Sequence, residues 1–216
     1  MVMPEIVSII DKESAERAVE VAAGVLRRGG VIIYPTDTLY GLGADSLNAG
    51  AVRKVFRIKG RESDEPLSNI VLNMDMTEQY AYVTPHARVL AEAFLPGPLT
   101  LILKKREGVR GAVGGGASTF GVRVPASEFC LKLAERFGGP YTSTSANISG
   151  EESGQSVGEI LEQLGDGAAL IDLVIDGGTL ESRTPSTIVD VTGERARILR
   201  EGVIPREDID GSLSKR

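Results

Sequence analysis

Short apolar segments bounded by glycine and proline are the feature of this sequence that most restricts its fold. The first of them, Val31–Tyr34, follows Gly29 and Gly30 and ends at Pro35. Such β-branched runs between turn residues are typical of buried strands. The segment before it, residues 14–28, repeats apolar residues at helical spacing, which predicts an amphipathic helix. The chain therefore combines helices with short buried strands.

The same criteria predict further elements along the chain. Asn48 can cap a helix that runs to about Ile58, and Pro85 suits the first turn of another. Because helices and strands do not alternate strictly, we predict an α/β fold in which helices flank a twisted, open, mixed sheet. Helices are predicted near 76–82 and over 84–94, 127–137 and 159–164, and strands over 67–72, 99–103, 120–124, 170–175, 187–191 and 197–199.

A chain of 216 residues is long enough to bury a substantial core. We predict one domain over residues 1–216, with its core at about 12–205. Residues 208–216 are polar enough to fray as a tail. The glycine-rich segment 111–116 is either a hairpin connection or a mobile loop.

The charge balance limits the partners of the protein. With 24 basic and 30 acidic residues, the formal net charge is −6, which argues against attraction of the whole protein to nucleic acid or to an anionic membrane. Any bound anion must therefore be held by a local cluster of cations. The sequence has no apolar run long enough to cross a membrane and has one cysteine, so we expect a cytoplasmic protein.

The sequence contains few residues that could act as nucleophiles or as ligands of a transition metal. Cys130 and His86 are the only residues of their types, which excludes a His/Cys metal centre and a zinc-protease motif, and no metal site made by protein side chains is predicted. Cys130 is in step with the apolar face of its helix, which favours core packing over nucleophilic chemistry. No Gly-Lys dipeptide is present, and hence no Walker P-loop. An enzyme of this composition must act by positioning its substrates and by stabilising charge.

Five basic residues lie within nine positions, and they are of two kinds. Arg53, Lys54 and Arg57 fit the solvated face of a helix. Lys59 and Arg61 flank a glycine beyond that helix, where alternate residues of an extended segment point the same way. Two cations that face one cavity would suit phosphate groups.

A row of small polar residues lies at positions 143–147. Because successive side chains of an extended segment point to opposite sides, Ser143, Ser145 and Asn147 would lie on the same side. This row is either ordinary solvation of a loop or a set of donors for phosphate oxygens.

Two further arginines are candidates for anion binding. Arg123 is flanked by valines in a predicted strand, so its guanidinium should face a cleft and pair with a carboxylate or a phosphate. Arg200 is either a similar cation or part of a surface ion pair with Glu201.

Seven segments of this chain, in register between about residues 31 and 204, share their residues and their order with one known family. In combination they resemble the YrdC family, the threonylcarbamoyl-AMP synthases. The segments are YPTDTLYGL at 34–42, KGR at 59–61, PGPLT at 96–100, GVRVP at 121–125, STSAN at 143–147, PSTIVD at 185–190 and ILREG at 198–202.

The resemblance implies a fold and a reaction. The expected fold is a twisted open α/β sheet with a concave, cation-lined cavity. The expected enzyme is a nucleotidyltransferase that converts L-threonine, bicarbonate and ATP, with Mg²⁺ accompanying the ATP, into L-threonylcarbamoyladenylate and pyrophosphate. That product serves the threonylcarbamoyl-adenosine modification of tRNA, which other proteins, the tRNA threonylcarbamoyl transferases, complete.

The resemblance also implies roles for individual residues. Two departures from the family pattern concern Glu62, where many members have proline, and Ile70, where some have histidine. Both bear on threonine affinity more than on the reaction. The implied catalytic residues are Lys59, Arg61, Ser145 and Asn147, the implied ATP contacts are Lys59, Arg61, Thr119, Ser145, Ser153 and Arg200, and the implied threonine contacts are Thr38, Arg123, Ser143 and Ser186.

Two other functions stay open. One is an RNA-binding or ribosome-maturation module that uses the same cationic cavity, and a weak RNA contact is compatible with the sequence. The net charge of −6 argues against this function. The other is a paralogue that keeps the fold without the synthase activity. The joint presence of the Lys59/Arg61 and Ser145/Asn147 pairs favours the synthase.

Overall fold

The structure is a computed structural model that describes residues 4–60, 67–109 and 118–214. The described residues form one mixed sheet of 11 strands in the order β1-β9-β2-β3-β8-β4-β7-β6-β10-β11, with β5 paired to β6. The strands are β1 (Glu5–Ser8), β2 (Val31–Tyr34), β3 (Gly41–Ala44), β4 (Ser68–Ile70), β5 (Ala81–Tyr82), β6 (Leu99–Lys105), β7 (Thr119–Arg123), β8 (Tyr141–Ser145), β9 (Leu173–Asp176), β10 (Thr187–Asp190) and β11 (Arg197–Arg200).

Helices lie on both faces of this sheet, as expected for an α/β fold. The sheet contains parallel pairs such as β2–β9 and β4–β7 and antiparallel pairs such as β2–β3 and β6–β7, which confirms the prediction of a mixed sheet. The helices are α1 (Lys12–Arg27), α2 (Ala49–Lys59), α3 (Met74–Glu78), α4 (Pro85–Phe94), α5 (Glu128–Phe137), α6 (Val157–Leu164) and α7 (Arg206–Ser214), with a 3-10 helix at Gly165–Leu170.

The predicted caps and periodicities account for the best-defined elements. The side chain of Asn48 accepts hydrogen bonds from the amides of Gly50 and Ala51 in the first turn of α2, and Pro85 occupies the first turn of α4. Along β2, Val31 and Ile33 pack on the face covered by α2 and α6, whereas Ile32 and Tyr34 pack on the face covered by α1 and α5. Strand β2 is therefore buried on both faces, as its continuous apolar sequence predicts.

The strands on the other side of the sheet are covered on one face only. Leu99, Leu101 and Leu103 of β6 pack with Phe120 and Val122 of β7 under α4 and α7. Residues between these positions point to the opposite face, because successive side chains of a strand alternate. That opposite face lines a cavity.

Three predicted elements differ from the structure, and one strand of the structure was not predicted. The predicted helix near 76–82 is a shorter helix, α3, followed by strand β5, which pairs with Lys104 and Lys105 at the end of β6. Strand β1 was not predicted and pairs in parallel with β9, which begins at Leu173 because the 3-10 helix occupies the preceding residues. The predicted fraying tail at 208–216 is wrong for residues 208–214.

That C-terminal segment forms α7, and its apolar anchors explain why. Ile209 is completely buried and belongs to the same cluster as Leu90 of α4, and Leu213 packs against this cluster. Burial of these side chains holds a mostly polar helix on the domain. The glycine-rich segment 111–116 lies outside the described residues. None of the described helices combines the length and the apolar character that a membrane crossing requires.

Candidate functional site

Two adjoining cavities lie on the face of the sheet that α4 and α7 leave uncovered. The first has a volume of about 170 Å³ and the second about 310 Å³. Leu39, Ser145, Pro185 and Arg200 line both, so the cavities meet at these residues. The polar side chains that line the first cavity are mostly hydroxyls together with two arginines, namely Thr36, Thr38, Ser68, Thr100, Arg123, Ser143, Thr144, Ser145, Ser186 and Arg200.

Arg123 is the buried cation of the first cavity. It ends β7 on the face opposite Val122, as its position between valines predicts. Its Nη2 donates to Asp37 Oδ1 at 2.5 Å and to Thr38 Oγ1 at 2.9 Å. Its Nε is buried and has no hydrogen-bond partner in the described part of the chain. The guanidinium is thus anchored on one side and retains donors for a ligand.

A second polar group faces Arg123 from β6 and from the start of β10. Ser186 Oγ lies 2.9 Å from Thr100 Oγ1, and both residues are buried. Arg200 donates from Nη2 and Nε to the carbonyl oxygen of Ser186, at 2.8 and 3.2 Å. Arg200 is therefore a cation at the mouth of the cavity, and the described residues show no ion pair between it and Glu201.

A close backbone approach fixes Arg200 in that place. A Cβ atom on Gly202 would lie 2.1 Å from the carbonyl oxygen of Pro185, so only glycine fits there. The Gly202 amide donates to Thr187 Oγ1 at 2.9 Å. The segment after β11 is thereby tied against the segment that carries Ser186.

The electrostatics of the site favour an anion. Loss of water around Arg200 lowers its pKa, and the positive charge of Arg123 lowers this pKa further. Two cations that repel each other across one cavity are stabilised when a carboxylate or phosphate lies between them.

Lys59 organises the wall next to the junction of the cavities. It is the last residue of α2 and is buried, and Gly60 ends the helix in the left-handed conformation with φ 59°. Its Nζ donates to the carbonyl oxygens of Ser145 and Asn147 at 2.7 and 2.8 Å and to Asn147 Oδ1 at 2.9 Å. The expectation that Lys59 lies beyond the helix in an extended segment was wrong.

The second cavity contains the remaining polar residues of that wall. Ser145 Oγ lies 2.5 Å from Asn147 Oδ1. Ser145, Asn147 and Ser153 all line the second cavity. Arg183 also lines it, and its Nε donates to Gln155 Oε1 at 2.9 Å. Ser145 therefore belongs to both cavities, whereas Asn147 belongs to the second.

Most of the residues predicted for the site are brought together. Thr38, Arg123, Ser143 and Ser186 line the first cavity, Asn147 and Ser153 line the second, and Ser145 and Arg200 line both. Lys59 lies behind this wall and lines neither cavity as described. Arg61 and Glu62 lie outside the described residues.

Two other positions singled out in the sequence lie away from the described cavity walls. Thr119 begins β7 opposite Lys104, on the same strand face as Arg123, and lines neither cavity among the described residues. Ile70 is completely buried in the cluster that contains Tyr34 and lines neither cavity there either.

Cys130 packs in the core as predicted. Its thiol is fully buried, and burial raises its pKa to about 11. The basic residues Arg53 and Arg57 are exposed on α2, also as predicted.

Sequence reasoning missed three polar residues of the site. Asp37 is the ion-pair partner of Arg123, and its carboxylate directly after β2 was the available signal. Thr100 alternates with buried leucines along β6, which marks it as facing the cavity. No signal in the sequence distinguishes Arg183.

The described residues contain no group of three or more His, Cys, Asp or Glu side chains suited to a metal ion. Within the described ranges, the donors at the site are hydroxyls, amides and guanidinium groups, which suit the oxygen atoms of anions.

The fold and the two cavities define a class: an α/β protein that holds an anionic or zwitterionic ligand with arginines and hydroxyls on an open sheet face. The Sua5/YciO/YrdC family model, which carries the description telomere recombination, matches residues 24–202. The chain belongs to this family.

Curated relatives and solved structures agree with this membership. The chain is 40% identical over 196 residues to the threonylcarbamoyl-AMP synthase of Pyrococcus abyssi, covering 90% of this chain and 57% of that protein. It is also 40% identical over 196 residues to a putative threonylcarbamoyl-AMP synthase of Methanocaldococcus jannaschii, covering 91% of each. The crystal structure of P. abyssi Sua5 complexed with L-threonine aligns with a TM-score of 0.87 and 37% identity, covering 99% of this chain and 61% of that one. The chain thus spans about three fifths of the P. abyssi protein.

Proposed function

We propose that this protein is a threonylcarbamoyl-AMP synthase, a nucleotidyltransferase that makes L-threonylcarbamoyladenylate from L-threonine, bicarbonate and ATP. The observation that carries the proposal is the pair of joined cavities, one built around Arg123 and the other around Asn147 and Ser153. The names of the relatives from P. abyssi and M. jannaschii support it.

The first cavity is suited to the amino acid. The guanidinium of Arg123 can bind a carboxylate through donors that the protein leaves unused. The hydroxyls of Thr38, Ser143 and Ser186 surround it and can orient the amine and the side-chain hydroxyl of threonine. A complex with L-threonine is described for the related P. abyssi Sua5.

The second cavity is suited to the nucleotide. Ser145, Ser153 and Arg200 are the ATP contacts that the resemblance implies in this cavity, and Asn147 is an implied catalytic residue. Arg183 adds a second cation. Because Ser145 and Arg200 line both cavities, we place the α-phosphate at the junction, next to the amino acid.

The reaction then needs no nucleophilic side chain. The threonine amine forms a bond to the bicarbonate carbon and water leaves, which gives a carbamate. A carbamate oxygen attacks the α-phosphorus while the bond to the bridging oxygen breaks and pyrophosphate leaves. Arg200 stabilises the charge that develops on the phosphate oxygens, and the bound geometry supplies the alignment.

Lys59 acts on this step through Ser145 and Asn147. Three of its hydrogen bonds, all to described residues, hold the backbone of that loop and the Asn147 amide, so that the polar groups of the loop face the nucleotide. Arg61 is proposed as a phosphate contact on the basis of the family resemblance. Mg²⁺ is proposed to enter with the triphosphate of ATP, because the described donors at the site include no cluster that would hold a metal by itself.

The product is proposed to be used by other proteins that transfer the threonylcarbamoyl group to tRNA. The same proposal includes bicarbonate as co-substrate, a weak contact with RNA and a cytoplasmic location.

The test is release of pyrophosphate from ATP by the purified protein in the presence of bicarbonate and Mg²⁺, with and without L-threonine. We expect release that depends on threonine, and we expect Arg123→Met to abolish that dependence while leaving ATP binding intact. Arg53→Met removes an exposed arginine from α2 and serves as the matched control. If calorimetry shows that the protein binds ATP but the protein releases no pyrophosphate, it is a paralogue without synthase activity. Retention of RNA with steep salt dependence would instead support the RNA-binding module.

A further inference from the structure

Asp37 and Arg123 form a buried ion pair. The proposed reaction assigns a role to Arg123 but none to Asp37. Asp37 follows β2 in the loop that also carries Thr36 and Thr38, and its side chain is 12% exposed against 7% for Arg123. The carboxylate does not line the first cavity. It lies behind Arg123 and bonds the Nη2 that also reaches Thr38.

We propose that Asp37 makes the first cavity select a zwitterionic α-amino acid over a carboxylate that lacks an ammonium group. This inference rests on the proposed function, because it assigns the specificity of the proposed threonine site. Asp37 is a positioning residue, since it acts on the ligand through Arg123 and through its charge.

The first argument concerns charge. Asp37 neutralises Arg123, so a plain carboxylate that binds Arg123 adds a net negative charge to a buried site. A zwitterion brings its own cation and leaves the site neutral. Arg200, the other cation of the first cavity, lies at the junction where the phosphate is placed, and a bound triphosphate makes the surroundings more negative. Nucleotide binding therefore strengthens the preference for a ligand with an ammonium group.

The second argument concerns the other groups in the cavity. The walls of the first cavity, as far as the structure describes them, carry no acidic side chain. Hydroxyl oxygens can accept hydrogen bonds from an ammonium group but carry no negative charge. Asp37 is therefore the carboxylate placed to favour a cation on the ligand.

The third argument concerns hydrogen bonding inside the pair. Asp37 Oδ2 and Arg123 Nε are both buried without a hydrogen-bond partner in the described ranges. A buried ion pair that serves stability normally has its remaining lone pairs and protons satisfied. The incomplete bonding indicates a pair whose arrangement serves a ligand.

The experiment measures binding of two ligands by calorimetry with the protein saturated with α,β-methylene ATP, which cannot release pyrophosphate. The ligands are L-threonine and 3-hydroxybutanoate, which keeps the carboxylate and the hydroxyl but lacks the amino group. Asp37→Asn keeps an oxygen that can accept from Arg123 and removes the charge. Asp37→Glu keeps the charge and tests rescue. The control is Glu20→Gln on α1, which removes the carboxylate from the exposed ion pair between Glu20 and Arg136 of α5.

The measured quantity is the ratio of the two dissociation constants. We expect Asp37→Asn to reduce the preference for threonine about tenfold, Asp37→Glu to retain most of it, and Glu20→Gln to leave it unchanged. If Asp37→Asn weakens both ligands by the same factor, or changes neither, the selectivity role of Asp37 is refuted while the proposed function stands. If the wild-type protein binds no threonine, the proposed function fails and this inference fails with it.

Discussion

Replacing Lys59 by methionine removes the ammonium group that holds the loop after β8. Methionine preserves much of the side-chain volume but removes the ammonium donor from two carbonyl oxygens and from Asn147 Oδ1. Asn147 Oδ1 still accepts from Ser145 Oγ, and the Ser149 amide still donates to the Lys59 carbonyl oxygen, so part of the loop remains bonded. The change therefore tests whether the buried ammonium is a structural member of the site.

The expected loss follows from these three bonds. A hydrogen bond to a charged group contributes about 1.5–3 kcal/mol, but three bonds that share one ammonium are not additive. Leaving a buried acceptor without a donor costs about 1–3 kcal/mol, so we expect the loss of the ammonium from three acceptors to cost about 3–5 kcal/mol in total. We expect Lys59→Met to lower the free energy of unfolding by that amount, and to lower Tm by roughly 6–20 °C at about 2–4 °C per kcal/mol for a chain of this size.

The assay is urea denaturation, with calorimetry of ATP binding on the same samples. Lys54→Met is the matched control on the same helix, because the Lys54 ammonium is only partly buried and, among the described residues, makes one hydrogen bond, to the Gly29 carbonyl oxygen at 3.1 Å. We expect this control to lose about 1 kcal/mol or less. A stability loss in Lys59→Met no larger than that of Lys54→Met would refute the internal role of Lys59.

Three further predictions concern other parts of the molecule. Ser186→Ala removes the hydroxyl next to Thr100 and should weaken threonine binding about fivefold, or ~1 kcal/mol, with ATP binding unchanged in calorimetry; equal losses for both ligands would contradict it. The Cys130 thiol should resist alkylation at pH 8 in the folded protein and react once the protein is unfolded. Because burial raises its pKa from 9.0 to about 11, the thiol's contribution to stability is present below pH 9 and is lost as the pH rises toward 11. The fall in the free energy of unfolding over that range should thus be smaller in Cys130→Ala. Ile209→Ala should destabilise the protein by about 2–4 kcal/mol in urea, and a loss below 0.5 kcal/mol, roughly a surface effect, would show that α7 is not anchored by this residue.

The local structure was largely predictable because its causes lie within a few residues. Asn48, Thr84 and Ser127 all cap helices through bonds to amides two or three residues away. The alternation along β2 determines which side chains meet each helical layer. The position of Arg123 between two buried valines likewise predicted that its guanidinium faces a cleft.

The polar partners within the site could not be predicted in this way. Arg123 meets Asp37 across 86 positions of sequence, and Lys59 meets Ser145 across another 86. Both contacts depend on the order of strands in the sheet, which local propensity does not encode.

Lys59 shows the distinction most clearly. From the sequence alone we could predict a helix that stops near Gly60 with a lysine beside this glycine, hydroxyls that alternate along residues 143–147, and the family to which such a combination belongs. The inward direction of the ammonium, toward the loop after β8, depends on the tertiary structure, because a buried charge goes where oxygen acceptors are available. The same holds for Asp37, whose charge acquired a role only when the sheet placed β7 beside the loop that follows β2.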